Sequence, residues 1–228
     1  MKCSEVPGSR PILVIGNKNY SSWSLRPWLL LRKGGVAFDE VRIALDRPET
    51  AAAIARYRGA GRVPVLLDGE LTVWESLAIC EYAAERWPGV AGWPAGREAR
   101  ALARAVACEM HAGFADLRSE LPMNCRARRR GVVPSPAAAA DIARVQGLWA
   151  ECRGRWGGSG PWLFGDFGIA DAMWVPVALR FATYGVTLQP AAAAYVTTVI
   201  ADPTLGEWLA AAREEPEVLE SEERGEPV

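Results

Sequence analysis

The chain has 228 residues, half of them apolar, which is enough for one large domain or two small ones around a substantial core. Its net charge of −1 gives no basis for binding nucleic acid or an anionic membrane surface, so a small molecule or a protein is the expected ligand. No apolar run reaches the roughly 18 residues of a membrane span, and the start, MKCSEVPGSRP, lacks the apolar stretch of a secretory signal, so a cytoplasmic protein is expected.

Residues 12–15 read as a short buried strand ending at Gly16, and residues 25–32 as a helix with Pro27 tolerated in its first turn. Residues 38–45 alternate, with Val41, Ile43 and Leu45 on one face, ahead of an alanine-rich helical stretch over residues 48–57. The run Val63-Pro64-Val65-Leu66-Leu67, then Asp68-Gly69, then Leu71-Thr72-Val73-Trp74 is the pattern of two strands joined by a tight hairpin. Residues 76–86 follow as a helix, closed by Trp87-Pro88-Gly89. This order, βαβ then ββα, marks a compact α/β domain over residues 11–90.

Past Gly92-Trp93-Pro94 the alternation stops and helical spacing takes over. Leu102, Val106, Met110, Phe114, Leu117 and Leu121 recur at steps of three or four, as do Ile142, Val145, Trp149, Cys152 and Trp156. The expectation is an all-helical domain over residues 95–213. Arg126 to Pro136, with four arginines and two prolines, reads as a solvated loop. Residues 214–228 hold seven glutamates against one arginine and read as a flexible, frayed acidic tail.

Cys3, Cys80, Cys108, Cys125 and Cys152 are odd in number, widely spaced and never arranged as Cys-x-x-Cys, which disfavours a disulfide framework, a zinc knuckle and a dithiol centre. With His111 as the one histidine, no metal site is expected.

Four segments carry a resemblance. Tyr20-Ser21-Ser22-Trp23-Ser24-Leu25-Arg26-Pro27-Trp28 resembles the Ser-Ser-x-Ser-x-Arg segment opening the first helix of bacterial serine-type glutathione transferases related to the zeta, maleylacetoacetate isomerase-like class. Arg62-Val63-Pro64-Val65-Leu66 resembles the family's loop before its cis-proline, and Trp74-Glu75-Ser76-Leu77-Ala78-Ile79 its Glu-Ser-x-Ala-Ile turn. Phe164-Gly165-Asp166-Phe167-Gly168-Ile169-Ala170-Asp171 resembles the motif that starts a core helix of the second domain, with Gly168 where the family usually has Ser or Thr. Losing that hydroxyl cap implies somewhat lower stability. The resemblance covers residues 11–210 and implies a thioredoxin-like N-terminal domain, an all-α C-terminal domain and a homodimeric detoxification transferase with glutathione as co-substrate.

A free thiol of pKa about 8.5 is mostly protonated at neutral pH, so such an enzyme must favour the thiolate. A hydroxyl at a helix N-terminus donates a hydrogen bond to sulfur while the helix dipole adds positive potential. By resemblance Ser21 is the first candidate donor and Ser22 the second; Tyr20 and Asn19 are adjacent alternatives, and serines that only cap the helix are another. By the same resemblance Arg26 is expected to support the active-site loop or its electrostatics, with a solvated helix-face arginine as the alternative. Val63 and Pro64 suit backbone pairing with the cysteinyl moiety. Glu75 is expected to take the γ-glutamyl amino group, Ser76 its carboxylate, and Arg62 the glycyl carboxylate. Trp23 and His111 are expected near a second pocket for a small, largely apolar electrophile. A glutathione-dependent cis-trans isomerase and a non-catalytic binding protein on the same fold are the alternatives; Trp23 stands where the isomerase class typically has cysteine.

Overall fold

In the computed structural model, which describes residues 10–228, β1 (Ile12–Ile15) is a central strand of a four-stranded sheet of order β2-β1-β3-β4. Its neighbour β2 (Asp39–Arg42) is parallel, while β3 (Val65–Asp68) is antiparallel to β1 and forms a hairpin with β4 (Leu71–Trp74). The β1 run is apolar throughout because both faces are covered. Leu13 and Ile15 join Leu66 in the main core beneath α1 (Ser22–Lys33) and α3 (Ser76–Arg86). Val14 and Val65 face the other way, onto Ile43 and onto Ile54 of α2 (Thr50–Ala55). Because α1 starts at Ser22, Pro27 sits in its second turn, one turn deeper than the sequence spacing places it.

The later elements are mostly helical: α4 (Arg97–Ala112), α5 (Ala115–Glu120), a two-residue strand β5 (Arg129–Arg130), α6 (Pro136–Trp156), α7 (Ile169–Tyr184), α8 (Pro190–Ile200), α9 (Pro203–Arg213) and a two-residue strand β6 (Glu226–Pro227). The single apolar repeat from Leu102 to Leu121 is two helices. Phe114 takes a left-handed φ of 58° and packs on Trp174 with ring centroids 5.5 Å apart, ending α4 and starting α5. Helix α7 is buried on nearly every side, as its continuous apolar sequence requires. Trp149 of α6 sits among Trp174, Phe181 and Tyr195 at centroid distances of 5.8, 5.5 and 4.8 Å. Among the described residues, no helix is long and apolar enough to cross a membrane.

Asp171 locks the start of α7. Its carboxylate accepts the Leu163 N–H at 3.0 Å, the Gly168 N–H at 3.1 Å and the Tyr195 hydroxyl at 3.1 Å. Gly168, just outside the helix, is required by space: a Cβ there would lie 2.7 Å from the Gly92 carbonyl oxygen, which also accepts the Ile169 N–H at 3.3 Å. This corrects the expectation that the missing hydroxyl cap costs stability. Gly168→Ser is expected to destabilise by about 1–2 kcal/mol in urea unfolding, because the steric shift outweighs the few tenths gained from a better cap. A stabilised variant would refute this account.

The acidic segment is also corrected. Residues 214–228 pack back on the molecule, held by Arg42 of β2 and by cations of the loop that reads as solvated. Arg126 donates to the carbonyls of Glu215 at 2.6 Å and Glu217 at 2.7 Å, and Arg42 pairs with Glu217 at 2.9 Å. Glu223 pairs with Arg129 and accepts from the Asn124 amide at 2.9 Å. Leu219 is buried, and β6 pairs antiparallel with β5. Glu215 itself is buried, its two carboxylate oxygens accepting the Lys18 and Asn19 N–H groups at 2.7 and 3.0 Å. The tail thus braces the loop leading into α1.

Candidate active site

Two adjoining cavities open beside the N-terminus of α1, sharing Trp23, Arg62, Val63 and Arg118 in their walls. The first, about 340 Å³, adds Pro64, Trp74, Glu75, Ser76 and His111; the second, about 390 Å³, adds Tyr20, Ser21, Ser22, Arg180 and Glu222. Residues far apart in sequence, at 21–23, 62–64, 75–76 and 111, therefore meet around these two cavities; Trp23 lines both, whereas His111, expected near the second pocket, lines the first.

The first cavity is built by the hairpin and α3. The Val63–Pro64 bond is cis. Glu75 holds a left-handed φ of 69° before α3, a conformation costing a non-glycine residue about 1 kcal/mol. Ser76 follows as the first residue of α3, its hydroxyl buried and without a hydrogen-bond partner. An unpaired buried hydroxyl on a cavity wall at a helix N-terminus is a preformed acceptor-and-donor site for a polar, preferentially anionic ligand. His111, on α4, faces Glu75 with Nε2 3.5 Å from its carboxylate and packs edge-on against Trp23 with ring centroids 5.2 Å apart. Arg62 is exposed on the rim.

The serines lie in the second cavity. Ser21 occupies the N-cap position of α1 but makes no side-chain cap bond; its Oγ lies 2.7 Å from Ser24 Oγ. Ser24, which the sequence marks only as a capping residue, is fully buried and accepts the Gly16 N–H at 3.1 Å. With that lone pair occupied, Ser24 can donate its proton to Ser21, leaving the Ser21 hydroxyl proton for a group in the cavity. Ser22 accepts from Arg180 Nη2 at 3.4 Å.

The neighbouring alternatives are committed elsewhere. The Tyr20 hydroxyl donates to Glu223 at 2.6 Å and accepts from Arg126 at 2.9 Å. Asn19 donates to Asn124 at 3.0 Å and accepts the Arg126 N–H at 2.9 Å.

Arg26 lines neither cavity. It is wholly buried behind Trp23, its guanidinium 4.0 Å from the ring centroid and its Nε donating to the Met173 carbonyl at 3.0 Å. It thereby fixes the Trp23 wall and is not a solvated helix-face side chain. Burial, followed by the charges of Arg180 and Arg118, holds the Arg26 guanidinium well below its ordinary pKa.

The sequence reading missed Arg118 on α5 and Arg180 on α7. Only their helical positions were legible; their convergence on the serines depends on how α5 and α7 pack. Neither cavity wall contains a cysteine. Among the described residues no group of three or more His, Cys, Asp or Glu side chains is placed to hold a metal ion. Cys3 lies outside the described residues.

Residues 20–86 match the family model described as glutathione S-transferase, N-terminal domain. Dichloromethane dehalogenase of Methylorubrum extorquens is 43% identical over 60 residues, and that of Methylophilus leisingeri 36% identical over 63 residues. These matches cover 25% and 27% of this chain, and the chain spans 21% and 24% of those relatives' lengths. Among solved structures, a glutathione transferase homolog from Burkholderia gl BGR1 with bound glutathione superposes with a TM-score of 0.67 at 23% identity, covering 90% of this chain and 99% of that one. The theta class glutathione S-transferase of Xanthomonas axonopodis pv. citri, also with glutathione bound, gives 0.58 at 23% identity, covering 92% and 95%. The sheet, the cis Val63–Pro64 turn and the helical second half give this chain the glutathione transferase fold, with residues 20–86 matching the N-terminal domain of that family.

Proposed function

We propose that this chain is a glutathione transferase that activates the glutathione thiol for attack on a small electrophile, with residues 11–90 as the glutathione-binding unit and residues 95–213 as the helical unit. The observation that carries this reading is the Ser76 hydroxyl, buried and unpartnered beside Glu75 and the Val63–Pro64 turn, in a cavity that shares walls with the one lined by Ser21 and Ser22.

Ser76 and the first amides of α3 receive the γ-glutamyl carboxylate, Glu75 its amino group, Val63 the cysteinyl backbone and Arg62 the glycyl carboxylate. Bound glutathione releases its thiol proton to solvent, and the thiolate forms a C–S bond at an electrophilic carbon while the leaving group departs with its bonding electron pair. Ser21 donates its hydroxyl proton to the sulfur in a hydrogen bond, and Ser24 holds Ser21 in the orientation that frees this proton. Ser22 is the second donor, polarised by Arg180. The N-terminus of α1 adds positive potential at the same point. The dichloromethane dehalogenase relatives support halide as one leaving group. A homodimer and a cytoplasmic location belong to the same proposal.

Calorimetric titration with glutathione tests the site. Ser76→Ala is expected to weaken binding about tenfold, the loss of one hydrogen bond to a charged group. If the unaltered protein shows no binding at millimolar glutathione, the assignment falls.

A further inference from the structure

The second cavity is more cationic than a pocket for an apolar electrophile should be. Leu45, Ile54, Val63 and Trp23 give it apolar walls, but three guanidinium side chains, Arg62, Arg118 and Arg180, also line it, against one carboxylate, Glu222. Arg62 on the rim is assigned to glutathione above. Arg118 and Arg180 remain.

Arg180 is 5% exposed, and its hydrogen bonds go to neutral acceptors: Nη1 to the Pro176 carbonyl at 3.3 Å and Nη2 to Ser22 at 3.4 Å. Its Nε is buried with no partner. Arg118 bonds the Phe114 carbonyl at 3.3 Å and stacks 5.4 Å from the centroid of Trp23. Among the described residues neither forms an ion pair within 4.0 Å. Two cations facing one cavity, opposed by Glu222 at Arg180 and by Asp141 at Arg118 but ion-paired with neither, are costly to keep desolvated, and an anion between them relieves both burial and mutual repulsion. Consistent with this, burial and the Arg118 charge push the Arg180 guanidinium down to about 10, with Glu222 opposing only in part.

Glutathione as placed above does not meet this need. Its carboxylates go to Ser76 and Arg62, and its sulfur to the serine hydroxyls. We infer that Arg180, with Arg118, binds a carboxylate carried by the second substrate, so that the electrophile is a small organic acid whose reacting carbon lies toward Ser21. The planar guanidinium fork of Arg180 suits a carboxylate, and the apolar side chains of Leu45, Ile54 and Trp23 take the remainder of the molecule. This inference rests on the proposed function for the identity of the reaction, but not for the anion site itself.

The test separates the two. Calorimetric titration of the full chain with benzoate and with benzamide, which share a ring and differ in charge, is expected to show benzoate bound about tenfold more tightly. Arg180→Met removes that preference, and Arg180→Lys, which restores the charge without the fork, recovers part of it. Because a buried replacement can unfold the chain, Arg118→Met on the half-buried surface helix provides a second arm, expected to weaken benzoate severalfold and benzamide little. In turnover with glutathione, iodoacetate is expected to gain more over its uncatalysed rate than iodoacetamide, with the gain lost in KM in Arg180→Met. Equal binding of benzoate and benzamide, or an unchanged preference in both methionine variants, overturns the inference. Equal gains for iodoacetate and iodoacetamide overturn it as a statement about the substrate. S-methylglutathione titrated separately reports on the glutathione site: if it fails to bind while the benzoate preference stands, the glutathione reading alone falls.

Discussion

Ser21→Ala is expected to raise the pKa of glutathione's thiol on the enzyme by about two units and to cut the rate at pH 7 about 25-fold. The size follows from the ionised fraction: a thiol of pKa about 6.5 is roughly 75% thiolate at pH 7, and one of about 8.5 roughly 3%. Two units correspond to about 2.7 kcal/mol, within the roughly 1.5–3 kcal/mol of one hydrogen bond to a charged group, which is what the variant removes. The geometry explains why the loss should be large at Ser21. Its Oγ is held 2.7 Å from Ser24 Oγ, whose other contact is the Gly16 N–H, an arrangement that allows a chain of donors from backbone to Ser24 to Ser21. Ser24→Ala should therefore raise the same pKa by less, since Ser21 keeps its hydroxyl but loses its orientation. Ser22→Ala should act less than Ser21→Ala. Thiolate absorbance titrated against pH reads all three, and if neither Ser21→Ala nor Ser22→Ala shifts the curve, the serine mechanism is wrong.

A comparably large effect on stability is expected at Asp171. Asp171→Ala leaves the Leu163 and Gly168 N–H groups and the Tyr195 hydroxyl without their acceptor in a site that is 1% exposed. At 1–3 kcal/mol for each unsatisfied group, with partial relaxation, the loss should be about 3–5 kcal/mol, a substantial share of the 5–15 kcal/mol typical of a folded domain. Denaturant unfolding measures it. The pH dependence has a definite sign. Burial raises the Asp171 carboxyl to about 7, against the opposing bonds from Leu163, Gly168 and Tyr195. A folded-state pKa above the unfolded value of about 3.9 means the group's pH-linked contribution is complete below that value and is lost as pH rises through about 7. The stability gap between the unaltered chain and the variant should accordingly narrow between pH 4 and pH 8. A gap that stays constant would show that Asp171 titrates as an ordinary carboxylate.

What was legible in the sequence had local causes. The apolar run of β1, the hairpin at Asp68-Gly69, α3 from Ser76 to Arg86 and the helical periodicity after Trp93 each follow from a pattern confined to a few turns or strands. Ser21, Ser22, Val63, Pro64, Glu75 and Ser76 were marked by the resemblance of short motifs at element boundaries, and the structure puts them on the walls of the two cavities. The break at Phe114 was not, since its left-handed backbone goes with packing on Trp174, some sixty positions away.

Tertiary structure alone decided the rest, and charge is the common reason. Read along the chain, seven glutamates in fifteen residues repel one another and promise a frayed end. In three dimensions Arg42, Arg126 and Arg129 arrive from other elements to meet that segment, and its buried Glu215 secures the loop that presents Ser21. Arg118 and Arg180 are equally silent in sequence, and Arg26, marked there only by its place in a motif, gives no sign of what it touches; the three lie on separate helices. Once those helices pack, Arg26 fixes Trp23 while Arg118 and Arg180 line the cavity beside the serines. The sequence by itself determined the architecture and the motif residues, because hydrophobic period and turn chemistry act over a few residues. The electrostatics of the cavity were left to the fold, because a charge acts through space on whatever long-range packing brings near it.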